Sequence, residues 1–164
     1  MYIGTQFSIF LINKPGILAQ VLNALASAKI NIIAMTMMDS VEHGVLRLVT
    51  GQTDLTRDVI KQLNLQVNET DVLCVTLSNK PGDLAIVATR LSEAHININY
   101  CYVTAGARGG KTTGVLKVAD LQKAMKILEK SGFGKEKSQD AAVHSKEQKT
   151  GKFPQRRRIS ARRK

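Results

Sequence analysis

The stretch Asn13-Lys14-Pro15-Gly16-Ile17-Leu18-Ala19 is the most informative in the sequence, because the chain repeats it as Asn79-Lys80-Pro81-Gly82-Asp83-Leu84-Ala85. The two copies are 66 positions apart (79 minus 13), and 12 of the 21 positions in Asn13–Ile33 are identical to their counterparts without a gap. The 164-residue chain therefore contains an internal repeat, and we expect two small modules that bury their cores by packing on each other.

Each copy joins a strand-like run to a helix-like run. Alternating or β-rich segments precede the copies, and apolar residues at three- and four-residue spacing follow them. Strands are predicted at Phe7–Ile12, Ile32–Met38, Gly44–Thr50, Leu65–Val67, Val72–Leu77, Ile98–Val103 and Val115–Val118. Asp54 and Asp120 are predicted N-caps of two further helices. The order is β-α-β-β-α-β twice, with a weak final strand after Phe133, so the pattern predicts an α+β fold of two ferredoxin-like modules.

The two Asn-Lys-Pro-Gly corners are candidate anion sites. Proline presets the backbone at the start of a helix, glycine allows a guest to approach, and the first-turn N–H groups have no intrahelical acceptor. A carboxylate or phosphate would accept those hydrogen bonds and gain from the helix dipole. The alternative is a plain turn, since the same four residues are good turn formers, but duplication makes that alternative weaker.

The positive charge is concentrated at one end of the chain. Of the net charge of +11, residues from Gly134 onward carry +8 (11 basic minus 3 acidic), which leaves the rest with +3. We therefore expect modules at residues 1–70 and 71–134 and a disordered basic tail at residues 135–164. The tail raises nucleic-acid association as a weaker alternative function, although it offers only Phe153 for base stacking.

Other composition signals favour a cytoplasmic protein with reduced cysteines. Cys74 and Cys101 lie in strand-like runs without metal or redox spacing. No run approaches the roughly 18 apolar residues of a membrane span.

No pattern indicates catalysis, a metal or a cofactor. His43, His95 and His144 have no partner at metal or triad spacing. The segment Ala105–Thr112 approximates a phosphate-binding loop, but a strand-like run follows it where a helix is required, so it is predicted to be a hairpin loop.

The repeated corner within a β-α-β-β-α-β order resembles the ACT domain, a small regulatory module that binds amino acids. The resemblance covers Thr5 to about Phe133 and rests on both Asn-Lys-Pro-Gly corners and the repeated Ile-Asn-Ile. It implies a stand-alone tandem protein whose two modules lie side by side in a continuous, eight-stranded antiparallel sheet with the helices on one face. It also implies a site where the corner of one module faces the second strand of its neighbour.

The resemblance implies a set of ligand-binding residues in each copy. They are Asn13, Lys14, Pro15, Gly16, Ile17, Leu18 and Asn31 in the first copy, and Asn79, Lys80, Pro81, Gly82, Asp83, Leu84 and Asn97 in the second. An α-amino acid needs N–H donors for its carboxylate and oxygen acceptors for its ammonium, and an asparagine side chain supplies both. For Asn31 and Asn97 the alternative is a left-handed helix C-cap.

The two copies differ in ways that leave the occupied copy open. Asp83 replaces Ile17 and would stabilise the helix dipole, repel a ligand carboxylate or select a basic ligand. Met35 and Met37 share one strand face, as do Tyr100 and Tyr102, either as interface core or as a ligand lining.

The expected function is that of a non-catalytic amino-acid sensor, and we expect a homodimer with a biosynthetic enzyme as its regulated partner. The rival is a purely structural or regulatory subunit of a biosynthetic enzyme, similar to the acetolactate synthase small subunit, with unoccupied sites. A ligand that binds one arrangement of modules better than another would bias that arrangement.

Overall fold

A computed structural model describes residues 1–39, 43–104 and 110–133 of the chain. Strands and helices follow one another in the predicted order. They are β1 (Tyr2–Ile12), α1 (Ile17–Ser27), β2 (Ile32–Asp39), β3 (His43–Thr50), α2 (Thr53–Gln62), β4 (Val67–Leu77), α3 (Asp83–Glu93), β5 (Ile98–Val103), β6 (Thr112–Val118) and α4 (Leu121–Lys130).

The described strands form one antiparallel sheet in the order β2-β3-β1-β4-β6-β5. This confirms the predicted α+β fold of two ferredoxin-like modules in a continuous sheet. The sheet has six strands instead of eight because two strands are long enough to serve both modules. β4 runs without interruption through the predicted short strand Leu65–Val67 and the predicted strand Val72–Leu77, and it crosses the expected module boundary at residue 70.

β1 and β4 are each shared between the modules. The second half of β1 pairs with β3 as the first strand of module one, while Tyr2–Gly4 pairs with Val72–Cys74 in module two. Tyr2–Gly4 thus takes the place of the final strand that the sequence predicts only weakly after Phe133. The first half of β4 pairs beside the second half of β1 and is the fourth strand of module one. Among the described residues, module two has four strands only with the segment Tyr2–Gly4 of module one.

Both pairs of helices cover the same face of the sheet. Phe7, Ile9 and Leu11 of β1 are buried in one cluster with Val21 and Leu25 of α1. A second cluster, under α3 and α4, is formed by Leu73, Val75, Leu77, Val87, Leu91 and Leu128 among others. Ile3 lies opposite Leu73 in the register, and opposed residues share a face, so both clusters lie on one side.

One predicted N-cap is confirmed and the other is wrong. The Asp120 carboxylate accepts a hydrogen bond from the Lys123 N–H at 2.9 Å and caps α4. Asp54 instead lies inside the first turn of α2, where its carboxylate accepts from Arg57 Nη1 at 2.7 Å. Arg57 also binds Glu69 of β4 through two hydrogen bonds, and this contact holds the pKa of Glu69 below its usual value.

The helix C-caps do not fall on the asparagines Asn31 and Asn97. The left-handed residues are Lys29 (φ 57°) and His95 (φ 56°), two positions earlier in each copy. The following Ile30 and Ile96 donate their N–H groups to the Leu25 and Leu91 carbonyls, both at 2.9 Å, as in a Schellman motif. Because each helix is already capped two residues before its asparagine, neither Asn31 nor Asn97 is the C-cap, and the C-cap alternative is wrong.

Replacing Lys29 or His95 with glycine is expected to stabilise the protein. A side chain at positive φ is strained, and glycine removes that strain, so each change should add about 1 kcal/mol to the free energy of unfolding. Alanine at the same positions is the matched control, since it shortens the side chain but keeps the Cβ. Chemical denaturation in urea measures both; equal stability of the glycine and alanine variants would contradict the assignment.

Candidate functional site

Both predicted corners are open to solvent. Gly16 (φ 93°) and Gly82 (φ 94°) are the left-handed N-caps of α1 and α3, and neither helix has a side-chain cap. A Cβ built on either glycine would meet no atom within 4 Å. A polar group can therefore approach the first helical turn at both corners.

The two corners differ in charge and in backbone. In the second corner the Asp83 carboxylate accepts a hydrogen bond from the Ser78 N–H at 2.7 Å, and Asn79 is left-handed (φ 56°). In the first corner Ile17 stands in place of the acid, and the Lys14 N–H closes a tight turn onto the Ile12 carbonyl at 2.8 Å. The second corner thus already holds a carboxylate of its own, and the first does not.

The corners lie at opposite ends of the sheet. Tyr2 pairs with Cys74 and Ile9 with Val67, so β1 and β4 run past each other before each enters its corner. The thirteen residue steps from Ile12 to Leu77 in this register correspond to about 40 Å at the usual strand rise.

The chain brings neither predicted asparagine beside a corner. Asn31 precedes Ile32, which pairs with Thr50 near the level of Thr5. The first corner follows Ile12, seven residues further along, which is about 20 Å. Asn97 lies at a corresponding level in module two. By strand register, therefore, each asparagine lies away from the corner of its own module.

Asn97 instead lines a shallow cavity of about 460 Å³ at the end of α3, with Ser92 and His95. A second open cavity, of about 450 Å³, lies on the face of the sheet that carries no helix. Neither of these two cavities is lined by corner residues.

The helix-free face is concave. The Arg47 guanidinium lies 3.9 Å from the centroid of the Tyr100 ring, although β3 and β5 are four strands apart in the sheet. A flat sheet would separate these strands by about 19 Å, more than the two side chains can span, so the sheet must curl. The result is a half-open trough between the two edges.

Gln6 is the buried polar centre of the trough. Its side chain is fully buried and its Nε2 donates to Tyr100 Oη at 2.8 Å and to Ser8 Oγ at 3.1 Å. Tyr102 Oη donates to Gln6 Oε1 at 3.1 Å. Burial raises the pKa of Tyr102 above its ordinary value, which keeps this donor protonated. Sequence reasoning missed this centre because its partners are 94 and 96 positions apart.

The paired methionines and tyrosines have different surroundings. Met35 and Met37 oppose Leu48 and Leu46, which confirms that they share a face, and they are 41% and 42% exposed on the edge strand β2. Tyr100 and Tyr102 share the trough face and bind Gln6. The tyrosines are thus part of the core of the trough, and the methionines are only partly covered by the described residues.

Several other predictions concern segments around the sheet. β6 begins at Thr112 and pairs antiparallel with β5, so a strand and not a helix follows the phosphate-loop-like segment. Residues 105–109 and the predicted tail at 135–164 lie outside the described residues. Cys74 is buried, which raises the pKa of its thiol, and Cys101 is exposed; both are free.

Within the described ranges, no three His, Cys, Asp or Glu side chains are grouped to hold a metal. No helix in that part of the chain could cross a membrane.

Two ferredoxin-like modules in one sheet, each with a glycine corner before its first helix, define the class of fold. The model of one family, the ACT domain pair, matches residues 1–142, and the chain belongs to that family. ACT domains are regulatory modules, so membership supports a regulatory, amino-acid-binding role. No curated protein sequence matches the chain.

Solved structures resemble the chain over most of its length. Protein BT0572 from Bacteroides thetaiotaomicron is 31% identical, with a TM-score of 0.73 over 79% of this chain and 89% of that one. The regulatory subunit of aspartate kinase from Thermus thermophilus is 12% identical, with a TM-score of 0.57 over 79% and 97% of the two chains. The Thermus flavus subunit is 14% identical, with a TM-score of 0.53 over 78% and 91%. The aspartate kinase subunits share the fold.

Proposed function

We propose that this protein is a non-catalytic regulator that binds a free α-amino acid at the corner Asn13–Leu18. The observation that carries the proposal is the difference between the corners: neither helix has a side-chain cap, but the first turn of α1 has no acidic residue, whereas that of α3 contains Asp83. The N–H groups of the first turn of α1 would donate hydrogen bonds to a ligand carboxylate, and the Asn13 amide oxygen would accept from the ammonium. The second corner, which holds Asp83, binds the same ligand more weakly.

A second copy of the chain completes the site in this proposal. β2 is an edge strand whose outer N–H and C=O groups are available for pairing, and Met35 and Met37 are exposed on it. If two β2 strands pair antiparallel about their centres, Ile32 of one lies opposite Asp39 of the other. Asp39 is level with Leu11 through Gly44, so Asn31 of the partner subunit reaches the level of the first corner. The protein is therefore a homodimer, and ligand binding is coupled to that pairing.

A thermal-shift screen of the proteinogenic amino acids tests the binding. A ligand that binds only the native state at 100 times its Kd stabilises it by about 2.7 kcal/mol, which raises the Tm by several degrees. If no amino acid raises the Tm at millimolar concentration, the result favours the alternative function, a subunit of a biosynthetic enzyme whose amino-acid sites are empty.

Exchanging the acid between corners tests which one is occupied. Ile17→Asp is expected to weaken binding of the best amino acid at least about tenfold, because the new carboxylate repels that of the ligand. Ile17→Asn is the matched control, since it loses the same apolar packing without adding charge. Isothermal titration calorimetry measures both. Equal affinities for the two variants, or a larger loss on changing Asn79 to alanine than on changing Asn13, would move the site away from the first corner.

A further inference from the structure

The open cavity in the trough is a second built site, away from both corners. It has a volume of about 450 Å³ and lies between the strands of both modules on the helix-free face. Arg47 of β3 and Lys117 of β6 line it from opposite sides, and Ser8 and Tyr100 form part of its floor. None of the described residues that line it is acidic.

The two cations have no carboxylate partner among the described residues. Arg47 Nε is buried and has no hydrogen-bond partner in that part of the chain. Lys117 Nζ donates only to a backbone carbonyl, that of Asp71, at 3.2 Å. A buried guanidinium nitrogen without an acceptor is costly, and an anion in the cavity would remove that cost.

Arg47 is held in position before any ligand arrives. Its guanidinium stacks over the Tyr100 ring at 3.9 Å, and the Tyr100 hydroxyl is held in turn by the buried Gln6. Stacking leaves the edge of a guanidinium available for the paired oxygens of a carboxylate or phosphate. A preorganised donor of this kind loses little side-chain entropy on binding.

One end of the cavity is apolar. Phe10 and Val45 line it beside the cations, and Phe10 is 40% exposed. A ligand that fits both ends has an anionic group and a compact apolar body. A second copy of the same face would bring Arg47 and Lys117 against their own equivalents, and the basic segment Lys149–Lys164 has the wrong sign of charge.

We propose that the trough binds a small organic anion, a carboxylate or phosphate ester with an apolar group, whose charge lies between Arg47 and Lys117. This site is independent of the amino acid at the first corner. Through this site the protein binds a second class of metabolite, where residues of both modules line one cavity.

Phenylphosphate, phenylacetate and the neutral phenylacetamide are suitable probes for the full-length protein. In ¹⁵N-resolved NMR titrations to about 10 mM, both anions are expected to shift the amide signals of Arg47, Tyr100 and Lys117, and phenylacetamide is not. The anion that binds more tightly shows whether the ligand of the trough is a phosphate ester or a carboxylate. Shifts confined to residues 13–18, equal binding of phenylacetamide, or no shifts at all would each overturn the proposal.

Charge-removing variants separate this site from the first corner. Arg47→Gln and Lys117→Gln are each expected to weaken the tighter anion about tenfold, because each removes a charge-assisted hydrogen bond. Lys126→Gln, on the exposed surface of α4, is the matched control for lost charge, and Asn13→Ala is the control for the corner; neither should change the affinity. Lys117→Gln keeps the test valid if Arg47→Gln fails to fold. Unchanged affinity in Lys117→Gln would rule the site out.

Discussion

A fragment of residues 71–133, expressed alone, is expected to show no cooperative unfolding transition. Module two takes its fourth strand from Tyr2–Gly4, which pairs with Val72–Cys74, and Met1 packs against its core. Without that segment one edge of β4 loses its ladder and the buried Leu73 and Val75 are uncovered. Domains of this size bury too little surface to absorb such a loss. Circular dichroism during heating measures the transition.

Two further polypeptides test whether the missing strand Tyr2–Gly4 is the cause of that result. Residues 1–133 should unfold cooperatively, and so should residues 71–133 followed by a Gly-Ser linker and a copy of residues 1–6. The added segment can run antiparallel to β4, as the native Tyr2–Gly4 does. If residues 71–133 alone melt near the Tm of residues 1–133, module two does not depend on the shared strand.

Changing Gln6 to alanine is expected to lower the free energy of unfolding by about 3 kcal/mol. Gln6 is fully buried, and alanine would leave the hydroxyl of Tyr102 without its acceptor and that of Tyr100 without its donor. It would also leave a cavity between β1 and the curled-over β5. Urea denaturation followed by circular dichroism measures the change, since the chain contains no tryptophan for fluorescence detection.

Matched variants divide that loss among the contacts. Tyr102→Phe removes one hydrogen bond and keeps the ring, so it should cost about 1 kcal/mol. Ser8→Ala should cost less, since Ser8 is only an additional acceptor for Gln6 Nε2. If Gln6→Ala lowers the free energy of unfolding no more than Ser8→Ala does, the curl of the sheet depends on strand twist and not on the hydrogen bonds of Gln6.

Local patterns were enough to predict most elements. The corner Asn13–Gly16 and its repeat gave correct helix starts because proline and glycine restrict the backbone within a few residues. Asp120 was identified as a cap for the same reason. Asp54 was assigned wrongly because α2 begins one residue earlier, at Thr53 after the N-cap Gln52, so Asp54 lies in the first turn and binds Arg57.

The candidate site was only partly predictable. Sequence comparison of the copies identified the corner residues and the substitution of Asp83 for Ile17. It did not indicate that Asp83 turns back to Ser78, or that Asn31 lies about 20 Å from its own corner. Those distances depend on strand register, which a repeat does not specify.

The class of fold, the duplication and the two corners are encoded locally, because each follows from periodicity and backbone restrictions over short stretches of sequence. Three features become visible only in three dimensions: β1 and β4 serve both modules, the corners lie at opposite ends of the sheet, and Gln6, Arg47 and Tyr100 meet in a trough. These features arise from the register and the accumulated twist of six strands, and so they depend on pairings between residues far apart in the chain.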